Sequence, residues 1–473
     1  MAFIALDFLS YFIFKSDGKS SMNSIIEQAK SQFESLMEPS TEQDNETRLK
    51  SYDEWLASFS KEQAKDLQIY IAMMLASKAS CLAAMNRIDD ALTAYDALIS
   101  RFIEAEDINL QIFAGKALFD KAVTLRKAKR NEEVHPVYDE LITRFRDSQE
   151  AELQICVAKA LFNKAGNLDA VEKDEEALSS YNELISLFSG SETPELRNNV
   201  AKALFYKAVT LKKLERTEEE IACYDQLISL FSDVDDKEVQ NGIAKALFNK
   251  AAALYHLNQT DEAIAVYDAL IQRFIDTEDD ATAKIVANSF FEKTGLLSEQ
   301  GRVEEEIDGY NRFLARFSDS QDPSIHIMIA TALINKAISL AQAGQDTEAL
   351  ASYDDLLGRF GESEDPNLQL YVARALFSKG SHLGDHGNPE AALPVYDDFL
   401  TRFSKTENGG LQIGVATTYL KKAIYLISLG RLDEAEASYN HLINDMDAEK
   451  NITLRQYIAM AQQGKSELEK QRA

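Results

Sequence analysis

The sequence predicts an all-α solenoid of antiparallel helix pairs stacked one on the next, and three observations predict it. A tyrosine recurs every 43 residues, at Tyr52, Tyr95, Tyr138, Tyr181, Tyr224, Tyr267, Tyr310, Tyr353, Tyr396 and Tyr439. Seven residues after each stands Phe59, Phe102, Phe145, Phe188, Phe231, Phe274, Phe317, Phe360 or Phe403, with Met446 closing the series. Around these marks the apolar residues keep helical spacing: Tyr267, Leu270, Ile271 and Phe274 fall at i, i+3, i+4 and i+7. Self-similarity at one fixed period marks a stacked-repeat protein. The length of 473 residues would otherwise suggest about three domains. A solenoid is instead one array with a core between each pair of neighbours.

Residues 1–22 open with an apolar run, MAFIALDFLSYFIF, too short to span a bilayer and interrupted by Asp7. Positive charge before the run and small residues after it, the marks of a secretory signal, are both missing. Three readings stay open: a cap on the first repeat, an extension ahead of a start at Met22, or an interfacial anchor. Residues 23–59 read as a degenerate first unit that keeps Phe33, Tyr52 and Phe59 in phase. Nine helix-pair units follow over 60–446, and 447–473 reads as a capping helix with a polar outer face.

Within a unit the first helix carries Leu247, Ala251 and Leu254 on its buried stripe. Small residues hold the Ala251 slot at Ala79, Ala122, Ala165, Ala208, Ala337, Gly380 and Ala423. A second small column runs through Ala72, Gly115, Ala158, Ala201, Ala244, Ala287, Ala330, Ala373, Ala416 and Ala459. Small against large at fixed offsets is what close helix packing requires. Asp107, Thr193, Asp236, Asp279, Asp322, Asp365, Asn408 and Asn451 stand where N-caps belong, three of them followed by Pro194, Pro323 or Pro366 at the first helical position. Gly301, Gly344, Gly387 and Gly430 mark the turn between the helices. The unit is therefore a first helix of about 20 residues, a tight turn and a second helix of about 14, the first about 30 Å long. Pro136 and Pro394, inside second helices, are candidate kinks. Glu220 and Glu306 stand where other units have alanine, which predicts looser packing there.

The net charge of -28 disfavours nucleic acid and anionic lipid as partners. Cys81, Cys156 and Cys223 form neither a disulfide framework nor a zinc spacing, as in a reducing compartment.

Leu247, Ala251 and Leu254, then Ala263, Tyr267 and Leu270, stand at the spacing of the tetratricopeptide signature, large-x2-Leu-small-x2-Tyr and then Ala-x3-aromatic-x2-small. From about residue 23 to its end the chain resembles that family. It departs in its period of 43 residues, in leucine where the family has tryptophan, and in lysine where it has leucine. The resemblance, to long-period arrays of bacterial type, implies a right-handed superhelical solenoid with a concave groove lined by first helices. It also implies a protein or peptide partner held in that groove.

Lys78, Lys121, Lys164, Lys207, Lys250, Lys293, Lys336, Lys379, Lys422 and Lys465 form a ladder at one phase. Asp96, Asp139, Asp225, Asp268, Asp354 or Asp397 follows the tyrosine in most units, so the ladder reads as stems laid across helices to meet carboxylates. A second basic column, Lys116, Lys159, Lys202, Lys245 and Arg374, takes the phase that the family's pattern turns to the groove. Arg126, Lys127, Lys212 and Lys213 follow at the ends of two of those helices. One reading is a basic stripe for an acidic partner segment; the other is solvated lysines paired with acidic neighbours. Phe119, Phe162, Phe205, Phe248, Phe291 and Phe377 are expected to fill the seam between units. His382 and His386, four apart with Asp385 between, have the spacing to clasp a metal but no third ligand in view, so no metal or cofactor is assigned. No phosphate-binding, zincin, nucleophile-elbow or dinucleotide motif occurs, and no segment reads as a strand.

The expectation is a non-enzymatic, cytoplasmic scaffold or adaptor that holds a peptide or partner protein in the groove, without nucleic acid and away from membranes. The alternative is a ligand-responsive sensor or inhibitor whose pitch changes on peptide binding and releases a partner.

Overall fold

The computed structural model describes residues 20–37, 44–446 and 452–472. Residues 1–19, and with them the apolar opening run, and Asn451 lie outside the described residues. All regular structure among the described residues is helical. It divides between Ile243 and Ala244, inside one helix, into two compact units.

The N-terminal unit holds α1 (Ser20–Met37) and α2 (Asn45–Phe59), α3 (Lys65–Ala84) and α4 (Ile88–Phe102), α5 (Ile108–Lys127) and α6 (Asn131–Phe145). It continues with α7 (Ala151–Asp169) and α8 (Asp174–Phe188), α9 (Pro194–Lys213) and α10 (Thr217–Phe231), and the start of α11 (Lys237–His256). The C-terminal unit takes the rest of α11 with α12 (Thr260–Phe274), then α13 (Asp280–Glu299) and α14 (Val303–Phe317), α15 (Pro323–Gln342) and α16 (Asp346–Phe360). It ends in α17 (Pro366–Asp385) and α18 (Pro389–Phe403), α19 (Gly409–Ser428) and α20 (Leu432–Asp445), and α21 (Ile452–Arg472). Odd-numbered helices are the first helices of the pairs and even-numbered ones the second. Most first helices have 20 residues and most second helices 15.

The phase residues are the core. Tyr138, Tyr224 and Tyr396 are fully buried, and each phenylalanine of the series is buried seven residues on. The small slots work as the sequence predicts: Ala79, Ala122, Ala165, Ala208, Ala251, Ala337 and Ala423 have no exposed surface. At Gly380 a Cβ would stand 2.5 Å from the Tyr396 ring, so there glycine alone fits the tyrosine as placed. Ala459 departs from its column and is exposed, because no further first helix covers that side of α21 among the described residues.

Caps and turns follow the same phase. Asp107, Asp279, Asp322, Asp365 and Asn408 accept hydrogen bonds from backbone N–H groups of their own first turns. Asp236 accepts from the Glu238 and Val239 N–H groups. Thr193 holds the N-cap place without a side-chain cap bond. The glycines of the inter-helix turn have φ of +68° to +85°, and five residues at the same phase, Asn86, Lys129, Glu172, Glu215 and Asn258, share that left-handed backbone without being glycine. The helices α6 and α18 run through Pro136 and Pro394 without interruption.

The lysine ladder is structural. Lys78 meets Asp53, Lys121 meets Asp96, Lys164 meets Asp139 and Lys293 meets Asp268, each at 2.6 Å. Lys379 pairs in the same way with Asp354, and Lys422 with Asp397. Every such bond joins a second helix to the first helix of the next pair. The aromatic row corrects the sequence reading: Phe119, Phe162, Phe205, Phe248, Phe291 and Phe377 are half-buried. Each packs on the tyrosine of its own pair, at 5.7 Å for Phe248 and Tyr267 and 6.3 Å for Phe119 and Tyr138. Their phase turns them toward their own second helix, and Phe162 alone among these six ring pairings also meets a ring of the next pair, Tyr206, at 5.5 Å.

Glu220 and Glu306 are both buried. Glu306 accepts a hydrogen bond from Ser339 Oγ at 2.8 Å, whereas Glu220 Oε1 has no partner and its carboxyl is raised by burial.

Candidate functional site

Within each unit the first helices sit closer together than the second helices. In the N-terminal unit α3, α5, α7 and α9 pack successively on one another, and in the C-terminal unit α13, α15, α17, α19 and α21 do the same. Consecutive second helices are joined instead by long side chains. Arg101 donates to the Ser60 carbonyl at 2.5 Å, Arg316 to the Ile275 carbonyl at 2.6 Å and Arg402 to the Gly361 carbonyl at 2.8 Å. At the other end of the second helices Arg130 bridges Glu133 and Asp89, and Arg216 bridges Glu219 and Glu175. The loops between pairs are clasped as well: Gln111 donates to the Ala105 carbonyl at 2.7 Å and Gln154 to the Ser148 carbonyl at 3.0 Å. The first helices therefore form the shorter, inner side of each unit, and their outward-turned side chains are the surface those helices share.

The basic column stands on those helices. In the N-terminal unit Lys116 pairs with Glu152, and Lys202 pairs with Glu238 at 2.7 Å. Both bonds reach from one first helix to the first turn of the next, where a carboxylate also suits the helix dipole. Lys213 at the end of α9 meets Asp174 at 2.7 Å and holds that carboxyl below its ordinary range. Lys159, Arg126, Lys127 and Lys212 are exposed. None of these four has an ion-pair partner within 4 Å among the described residues. In the C-terminal unit Lys245 and Arg374 are likewise exposed on α11 and α17, with no ion pair among the described residues.

Two residues of this surface escaped the sequence reading. Asp120 lies one turn beyond Lys116 and keeps exposed surface, while desolvation by the neighbouring helices pushes its carboxyl up to about 6, against the pull of Lys116, Lys127 and Lys159. Tyr206 lies one turn beyond Lys202 and is 45% exposed, with its ring 5.5 Å from Phe162 and at a steep angle to it. The signal was present at one phase: Ser77, Asp120, Asn163, Tyr206, Asn249, Glu292, Asn335, Ser378 and Lys421 form a polar column broken by a single aromatic. An exposed tyrosine can bury a ring while its hydroxyl stays wet, which suits a contact surface.

A family model described as tetratricopeptide repeat matches residues 245–274, and a second model of the same description matches residues 416–444. The two matches begin four periods apart to within one residue, so they fall on the same phase of the ladder. No curated protein matches the chain. Among solved structures, the apo form of RapI is similar at 16% identity, covering 75% of this chain and 98% of that one, with a TM-score of 0.39. The P58(IPK) TPR domain shares 16% identity over 85% of this chain and 98% of its own, with a TM-score of 0.24. A tetratricopeptide repeat protein from Parabacteroides merdae ATCC 43184 shares 13% identity over 66% of this chain and 98% of its own, at 0.30. Whole chains do not superpose at such scores, so the repeat assignment rests on the two sequence matches and on the ladder itself.

Proposed function

We propose that this chain, in which tetratricopeptide repeat models match residues 245–274 and 416–444, is a non-enzymatic scaffold holding a protein or peptide with a carboxylate-rich segment. The segment lies on the first-helix face of the N-terminal unit. Tetratricopeptide repeats serve protein–protein contact in general; the acidic segment and its place are our own reading. The observation that carries it is the set of unpaired cations, Lys127, Lys159 and Lys212, on a surface where Lys116, Lys202 and Lys213 already have carboxylates. None of the three has an ion pair within 4 Å among the described residues, although Asp120 lies close enough to Lys127 and Lys159, and Glu220 to Lys212, to feel their charges. The three lysines favour an acidic partner through both steering and contact. Three free cysteines, two of them buried, suit a reducing compartment, and we place the protein in the cytoplasm.

The test uses fluorescence anisotropy with a panel of labelled acidic peptides and charge-scrambled neutral controls. Reversing Lys159 and Lys212 to Glu removes two favourable contacts and adds two repulsions. At about 0.5 kcal/mol for each of these four exposed-charge terms, about 2 kcal/mol together, the loss comes to roughly 30-fold in Kd. Equal binding of acidic and neutral peptides, or undiminished binding by the double variant, contradicts the proposal.

A further inference from the structure

We propose that Asp346, His382 and His386 form a binding site for a borderline divalent transition-metal ion of the Zn²⁺ class, bridging two consecutive helix pairs of the C-terminal unit. Asp346 opens the second helix α16, while His382 stands in the last turn of the next pair's first helix, α17, and His386 is its C-cap. The three ligand atoms lie within 4.8 Å of one another. His382 Nε2 is 3.2 Å from Asp346 Oδ1, and His386 Nε2 is 3.8 Å from the same oxygen. Donors bound at about 2.0–2.2 Å to a tetrahedral zinc ion stand about 3.4 Å apart, so small side-chain rotations bring all three onto one ion.

The hydrogen-bonding pattern points the same way. The His382 side chain is only 8% exposed, yet its Nε2 has no hydrogen-bond partner, and neither does Asp346 Oδ1 beside it. A histidine pairing with this aspartate would direct an N–H at the oxygen. Two buried, unpartnered atoms facing each other at 3.2 Å suit lone pairs converging on a cation. His386 Nδ1 lies 2.9 Å from the His382 carbonyl oxygen. The carbonyl only accepts, so Nδ1 carries the proton and the Nε2 lone pair is left for a metal, the arrangement that orients ligating histidines. Asp385 is committed elsewhere, to Lys421 at 2.8 Å and to the Tyr425 hydroxyl at 2.6 Å.

The other repeats are an internal control. At the His386 phase they carry Met85, Ala128, Val171, Leu214, Leu257, Gln300, Ala343 and Leu429, and at the His382 phase Cys81, Thr124, Asn167, Thr210, Ala253, Leu296, Ser339 and Tyr425. Histidine enters both columns only at the seam where the preceding pair supplies Asp346. One carboxylate and two neutral imidazoles suit zinc or its neighbours and leave a fourth position for water. An ion there would staple α16 to α17.

The test titrates the full chain, without a histidine tag, with Co²⁺ and with Zn²⁺. Co²⁺ is followed by its visible d–d absorption and Zn²⁺ by calorimetry, alongside thermal melts. The expected result is one ion per chain, a tetrahedral Co²⁺ spectrum and a melting temperature raised by Zn²⁺. His386→Ala, at an exposed position that folding tolerates, and Asp346→Asn should each weaken uptake at least about 10-fold and abolish the Zn²⁺ shift in melting. No stoichiometric uptake by the wild type, or uptake unchanged in the His382→Ala/His386→Ala variant, overturns the proposal.

Discussion

Exchanging Lys129 and Glu215 for glycine should stabilise the protein. Both residues hold the left-handed turn between a first and a second helix, at φ of +60° and +58°, and both are exposed. An L-residue pays about 1–2 kcal/mol for that backbone, whereas glycine gives back about 0.5–1 kcal/mol through its looser unfolded chain. The net gain is about 0.5–1 kcal/mol per site, and the sites lie two periods apart, so the double variant should gain about 1–2 kcal/mol. The reverse exchange, Gly344→Lys, should cost the same net amount, about 0.5–1 kcal/mol, because it imposes that backbone on a residue with a Cβ while stiffening the unfolded chain. Asn86→Gly and Asn258→Gly should gain less, since asparagine tolerates this region. The assay is urea unfolding followed by circular dichroism, fitted with nearest-neighbour coupling between repeats. If the glycine variants lose stability while Gly344→Lys is harmless, the turn phase has been misassigned.

Three further outcomes follow from the packing and the charges. Gly380→Ala gains about 1 kcal/mol of helix propensity but drives a Cβ into the buried Tyr396 ring, an overpacking cost of about 1–3 kcal/mol, so chemical denaturation should show a small net loss. Burial raises the Glu220 carboxyl, so its ionisation opposes folding above its folded pKa and not below the unfolded one. Glu220→Ala, which restores the alanine of Ala177 and Ala263, should therefore raise the melting temperature at neutral pH and lose that advantage in acid. Asp120, raised to about 6 by desolvation but exposed at its surface, should respond in the same direction and more weakly: Asp120→Asn should be mildly stabilising at pH about 7 and neutral near pH about 4, read by melts across that window. A gain that grows in acid would contradict either assignment.

The architecture was legible because one period carries everything that builds it. The tyrosine and phenylalanine marks, the alanine slots, the aspartate caps and the turn glycines repeat in register, and each states a local requirement. What stayed hidden joins positions far apart in sequence or breaks the pattern once. Asp346 lies 36 residues before His382, in the preceding pair, so local spacing showed two histidines and no third ligand. Asp96 and Lys121 were visible in two columns, but only stacking shows that their bond crosses between pairs. The aromatic row was misread because helical phase alone does not say which of two neighbouring helices a ring will meet. On the candidate face the lysine column was evident, while its division into paired and unpaired members depended on glutamates one first helix away. Tyr206 was overlooked because it stands next to Phe205 and blended into the aromatic row.

The central claim is that the first helices of the N-terminal unit present the binding face. Its most direct measurement is peptide capture by two matched charge reversals, Lys159→Glu with Lys212→Glu on first helices, and Lys173→Glu with Arg146→Glu at second-helix ends. Binding of an acidic peptide should fall roughly 30-fold in the first variant and stay near wild type in the second, with circular dichroism unchanged in both. Equal losses in the two variants, or a loss confined to the second, would contradict the account.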